Sequence, residues 1–255
     1  MKNQYFGDIN DYRKYGLLRA ILQASGLPML VAWMLTPDDG SNDGKFVSYL
    51  QKPRKWSRFD PFLYNKLKVL LANGQGREVS LLERTPLLPG AEYFYDMVPD
   101  AGPARAAWFD MLLANAAESE FIFLDPDNGL EVKSRPYGAR DSSKYLYWHE
   151  VEALWCAGKS LLIYQHFIRE KRDGFIQRML KALKESTPGS FVEAFSTPHV
   201  VFLMALQPEH QRAHKAILDM LKIRWEGEIR RQGMASAPRF RRPVKPRRIQ
   251  PARPH

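Results

Sequence analysis

Asp125-Pro126-Asp127-Asn128-Gly129 sets two carboxylates and a carboxamide directly after an apolar run, Phe121 to Leu124. Proline fixes its own φ and lacks an N–H, so the turn is stiff. One reading is architectural, because Asp-Pro and Asn-Gly are strong turn formers. The other is chemical. An exocyclic amine on a base is a poor nucleophile, since its lone pair is delocalised. A carboxylate and a neighbouring main-chain carbonyl can accept its two hydrogens and stabilise the positive charge that develops on nitrogen. Such a base must first leave its stack. On this reading Asp125, Pro126, Asp127 and Asn128 form the candidate catalytic set.

The same acids admit a rival. Asp125, Asp127 and Glu131, with Lys133 nearby, could hold a magnesium or manganese ion through oxygen and cut a phosphodiester. Only Asn128-Gly129-Leu130 separates Asp127 from Glu131, which barely allows a hairpin between them. The loop Asp38-Asp39-Gly40-Ser41-Asn42-Asp43-Gly44 looks like a calcium loop but lacks its twelfth-position Glu. His210 and His214 are four apart, yet Gln211 stands where a zinc protease needs Glu, so a solvated helix face is expected. Ser160 lacks the Gly-x-Ser-x-Gly elbow of a hydrolase. His166 and Phe167, after the apolar run ending at Tyr164, are candidate substrate contacts; a scaffold role for His166 is the alternative.

These residues need a frame. Helical patterns run from Asp8 to Ser25, Asp60 to Asn73, Pro103 to Ala117, Trp148 to Ala157, Ile168 to Lys184 and Pro208 to Glu226. Strands are expected at Met29 to Leu35, Val79 to Leu82, Glu92 to Val98, Phe121 to Leu124, Leu161 to Tyr164, Phe191 to Phe195 and Val200 to Leu206. Strands separated by helices predict an α/β, Rossmann-like open sheet, mostly parallel, with helices on both faces. Ser196-Thr197-Pro198-His199 is too short for a parallel crossover, so the last strand should be antiparallel. That arrangement resembles the class I methyltransferase fold. Ligands of open α/β sheets bind beyond the carboxyl ends of the strands. The loops at 36–45, 83–85, 125–131 and 165–167 therefore hold the site.

Phe6-Gly7-Asp8-Ile9-Asn10-Asp11-Tyr12-Arg13-Lys14-Tyr15 resembles the N-terminal motif of the large-subunit ribosomal RNA adenine methyltransferase J family, Gly-Asn-x-Ala-Asp-x-x-Lys-His. Gly7, Asp11 and Lys14 match in register; Asp8 and Tyr15 replace the family's Asn and His. The resemblance covers the element order of residues 1–206 and two short motifs and implies an S-adenosylmethionine-binding fold; the domain is expected over residues 1–231. The resemblance makes Lys14 a cofactor contact; Thr36, Asp38 and Gly40 join it as expected contacts because their loop follows the first strand. Glu83, expected at the end of the second strand, resembles the acid that holds the cofactor ribose, since a carboxylate can accept both hydroxyls. Asp125-Pro126 resembles the start of the catalytic Asp-Pro-Pro-Tyr; Asp127 and Asn128 depart from it. Tyr137, Tyr145, Tyr147 or Phe167 would then have to supply the stacking ring from a neighbouring loop.

The chain has 255 residues and a formal charge of +10, with 45% hydrophobic residues, enough for a sizeable core. From 232 to 255 there are seven Lys/Arg residues, five prolines and no acid. Proline and like-charge repulsion predict a disordered tail there. Segregated basic charge suits a nucleic acid partner through counterion release, a free terminus being the alternative. A non-catalytic nucleic-acid- or partner-binding module on the same fold is the third reading beside methyl transfer and metal-dependent cleavage. The single cysteine, Cys156, cannot form an intramolecular bridge, which points to a reducing, cytoplasmic setting. Neither a secretory signal nor a membrane span is expected.

Overall fold

Alternate residues of the central strands feed two separate cores. Met29 and Val31 pack with Phe121 and Phe123 on one face, while Leu30, Ala32, Ile122 and Leu124 pack on the other. Period-two alternation with both faces apolar is what a doubly covered sheet requires. The computed structural model describes residues 1–38, 44, 46–72 and 77–235. Its order is α1 Ile9–Ser25, β1 Met29–Ala32, α2 Pro53–Trp56, α3 Pro61–Ala72, α4 Ser80–Arg84, β2 Ala91–Phe94, α5 Gly102–Asn115, β3 Phe121–Leu124, β4 Gly129–Leu130, β5 Tyr145–Leu146, α6 Trp148–Cys156, β6 Ser160–His166, α7 Arg172–Ser186, β7 Phe191–Ser196, β8 Val200–Leu206, α8 Gln211–Trp225 and β9 Arg230–Gly233.

The main sheet runs β2-β1-β3-β6-β8-β7-β9. β1 pairs in parallel with β2 and with β3, and β3 with β6. β8 is antiparallel to both neighbours, as its short link to β7 demands, and β9 is antiparallel to β7. The fold is thus the expected α/β open sheet. α1, α3 and α8 cover one face; α5, α6 and α7 cover the other. No described helix is long and apolar enough to cross a membrane.

Two expectations need correction. Val79 to Leu82 is not a strand. Ser80-Leu81-Leu82-Glu83-Arg84 is rich in good helix formers and turns once as α4, burying Leu81 and Leu82. The edge of β1 is taken by Ala91–Phe94 instead. The expected tail also begins too early. Gln232 and Gly233 belong to β9, opposite Ala194 and Glu193. Glu193 is buried and binds Arg231 and His214, which clasps the polar β9 to the sheet. The segment from 236 onward lies outside the described residues.

Candidate functional site

The apolar register of β3 delivers Asp125 to the carboxyl end of the sheet. Its N–H still donates to Ala32 O of β1, at 3.0 Å. Pro126 then turns the chain, and the loop is locked from below by Gln165. The Gln165 Oε1 accepts from the Leu130 N–H at 2.7 Å, and its Nε2 donates to His166 O at 2.8 Å. Gly129 has φ of 117°, and a Cβ there would lie 2.4 Å from Gln165 Oε1. Close approach and a positive φ together require glycine.

The start of α1 supplies the other half. Asp8 caps the helix, its Oδ1 accepting from the Asn10 and Asp11 N–H groups at 2.8 and 2.9 Å. One turn on, Asp11 Oδ2 accepts from the Tyr15 hydroxyl at 2.6 Å and from Gly7 N–H at 3.1 Å. Lys14 Nζ lies 2.8 Å from Asp11 Oδ1 and 2.7 Å from Asp125 Oδ2. The rings of Tyr164, Trp33 and Tyr15 surround the ammonium at 5.3, 5.7 and 5.8 Å. Burial opposes the charge on Lys14, but Asp11 and Asp125 outweigh it and lift its pKa above the ordinary range. Burial raises Asp125, with Lys14 working against the rise. Burial and the charge of Asp11 push Asp8 up to about 7.

Around this pair is a cavity of about 210 Å³. Lys14, Asp125, Pro126, Asp127 and His166 all line it, so the structure brings these expected residues together. Asp127 is 3.4 Å from Lys2 Nζ. The His166 ring meets Tyr164 edge-on at 5.1 Å, with Nε2 3.3 Å from the Tyr164 hydroxyl. Burial holds this imidazole below its ordinary pKa, and Asp127 only partly offsets that. The Met1 nitrogen donates to Met34 O and Asp125 O, 3.1 Å each, between the ends of β1 and β3. Thr36, next along from β1, is buried and donates its N–H to Met1 O. Thr36 Oγ1 and Asn10 Oδ1 are buried without partners among the described residues.

Other expected residues do not line this cavity. Glu83 is exposed on α4 rather than at a strand end. The acid that follows the true second strand is Asp96, whose carbonyl accepts from Trp108 Nε1. Asp38 is exposed, and Gly40 lies outside the described residues. Asn128 is half-buried and held by its main chain, between Lys144 O and the His166 N–H. Phe167 turns away from His166 and lines a separate groove beside β9. Tyr137 and Tyr147 pack on each other and on His149. The aromatic walls are instead Tyr5, Phe46 and Tyr164. Tyr164 closes an apolar strand and reads as core; Phe46 follows a loop with no local pattern.

The rival constellations separate. Glu131 is exposed, Asp125 is paired with Lys14, and no three His, Cys, Asp or Glu among the described residues group closely enough for a metal ion. His210 and His214 are not a solvated pair. His214 binds Glu193, and His210 bridges Ser160 Oγ at 2.8 Å and Glu120 at 2.9 Å. Ser160 is wholly buried and accepts from the Gln207 N–H, so this chain of contacts ties β6 to the turn before α8.

No family model and no curated protein matches the chain. Among solved structures it is similar to a Legionella pneumophila protein described under the family model DUF519. The two are 12% identical, with 89% of this chain and 96% of that one covered, at a TM-score of 0.43.

Proposed function

We propose that the cleft at the ends of β1 and β3 is a methyl-transfer site for a substrate amine, with S-adenosylmethionine as donor and nucleic acid as the substrate class. The single observation that carries this reading is the meeting of Lys14 and Asp125 at 2.7 Å. It joins the two motifs on which the resemblance to the ribosomal RNA adenine methyltransferase J family rests, at the sheet end where open α/β folds bind ligands. The antiparallel β8 between β6 and β7 agrees with the class I methyltransferase arrangement.

The residues present fit the amino-acid end of the cofactor. Met34 O and Asp125 O converge on one nitrogen, the acceptor set an α-ammonium needs. Thr36 Oγ1 and Asn10 Oδ1 are still to be satisfied. Met34 O and Asp125 O, which now hold the Met1 nitrogen, would hold the α-ammonium of the cofactor in its place. S-adenosylmethionine supplies an electrophilic methyl group on its sulfonium.

In this reading Lys14 fixes Asp125 through Oδ2, leaving Oδ1 to accept a hydrogen from the incoming amine. Tyr164, which is buried, walls this end of the cleft off from water. The neutral imidazole of His166 takes the proton released as the methylated amine reverts from its cationic form. The basic segment from 232 onward favours a polyanionic substrate. Incubation with methyl-tritiated S-adenosylmethionine and total RNA or single-stranded DNA tests this. Label should enter the nucleic acid with the wild-type chain and fall at least a hundredfold, roughly the worth of one electrostatic stabiliser, with Asp125→Asn. Equal labelling by the variant, or none by either, overturns the reading.

A further inference from the structure

A second depression of about 280 Å³ adjoins the Lys14–Asp125 cavity, sharing Asn10 and Phe46 as a common wall. Its floor is Trp56, buried at the end of α2; Lys52 and Lys55 stand on its rim and His199 reaches in from the β7–β8 turn. Lys55 Nζ lies 4.8 Å over the Trp56 ring, and the Arg13 guanidinium 5.1 Å from it. No described residue lining this depression is acidic. Phe46 is 65% exposed at the seam, although its carbonyl is pinned by the Ile9 N–H at 3.1 Å. Phe46 therefore presents most of one ring at the seam between the two cavities. His199 is held below its ordinary pKa by burial and by the positive fields of Arg13 and Arg172, so cationic potential reaches into the groove.

The geometry points to this groove as the seat of a single-stranded nucleic acid, with Lys52 and Lys55 on backbone phosphates and Phe46 stacked on the base beside the one that enters the Asp125 cavity. Two cations beside an exposed ring are what single-strand binding uses: charge tracks the backbone, and any base offers a π face. A duplex would not fit the arrangement, since its bases are stacked away from Phe46. The inference rests on the methyl-transfer reading for the base that enters the Asp125 cavity, but its test does not depend on cofactor.

The test is anisotropy of a labelled single-stranded RNA of about twelve nucleotides, titrated with the full-length chain across a salt series, with and without Lys52→Gln/Lys55→Gln and Phe46→Ala. Losing two phosphate contacts should reduce the steepness of log K against log salt by about 1.4. Phe46→Ala should weaken binding about tenfold, and quenching of a 2-aminopurine in the strand should disappear. All three positions are exposed, and circular dichroism checks that the variants fold. Wild-type affinity and slope in both variants overturn the inference, as does binding of an acidic peptide with none of RNA. Altered slopes in a protein that binds no S-adenosylmethionine support the groove while removing the methyl-transfer reading.

Discussion

Lys14 and Asp125 stand 111 positions apart and meet at 2.7 Å, with side chains 3% and 2% exposed. The same ammonium is 2.8 Å from Asp11, so one cation serves two buried carboxylates. A buried pair of this kind adds little net stability, but breaking it strands a charge away from water. Lys14→Met should therefore cost about 3–5 kcal/mol in urea denaturation. Asp125→Asn, which keeps the shape and one acceptor, should cost clearly less. Equal, small losses in both would show that the pair is not buried as described.

The cap of α1 makes stability depend on pH in an unusual direction. Asp8 is raised from 3.8 to about 7 by burial and by Asp11, so the folded chain holds a proton that the unfolded chain has released. Its contribution is full below about pH 4 and is lost as pH rises toward 7. Asp8→Asn keeps the Oδ1 acceptor for both N–H groups and removes the titration. Thermal melts should show the variant above wild type at pH 7.5 and level with it near pH 4. A gap that is constant with pH contradicts this.

Glu193 behaves in the opposite sense. Burial opposes its charge, but hydrogen bonds from His214 and Arg231 prevail and hold it below its ordinary 4.5. Its stabilisation is complete above pH 4.5 and is lost as pH falls through the depressed value. Because Arg231 is on β9, Glu193→Gln should release that strand first. Amide exchange at residues 230–233 should accelerate at neutral pH, with β3 unchanged. Unaltered exchange in β9 would mean that the strand is held by its ladder alone.

Gly16 sits where α1 crosses α8, and a Cβ there would lie 1.8 Å from Trp225 Cζ2. Trp225 is wholly buried against Tyr12 and Phe59 and has no free side to yield. Gly16→Ala should cost about 1–3 kcal/mol despite the better helix propensity of alanine. A stabilised variant, read by the denaturation midpoint, would show that the two helices slide freely.

The legible parts of this molecule were those where a single local pattern decides the outcome. Phe121 to Leu124 is too short and too apolar for anything but a buried strand, so Asp125 reads at once as a strand-end acid. The spacing of Asp11 and Lys14 on one helix likewise fixes which way both point. Val79 to Leu82 suits one turn of helix as well as a strand, and the edge of β1 pairs with Ala91–Phe94, so Glu83 does not stand at a strand end. β9 carries Arg230-Arg231-Gln232, with no apolar signal; its place is set by Glu193, 38 positions away from Arg231 in the chain. Phe46 and Tyr164 became cavity walls through tertiary contacts that no spacing encodes. His210 and His214 face partners on β3's approach and on β7, which their four-residue interval could not name.

The most direct test of the central claim is a calorimetric titration of the full chain with S-adenosylmethionine, in the absence of nucleic acid. One equivalent should bind, with amide exchange at residues 1–5 altered as Met1 leaves the Met34 and Asp125 carbonyls. A flat titration at millimolar cofactor, with those amides unchanged, would contradict the assignment of this cleft to methyl transfer.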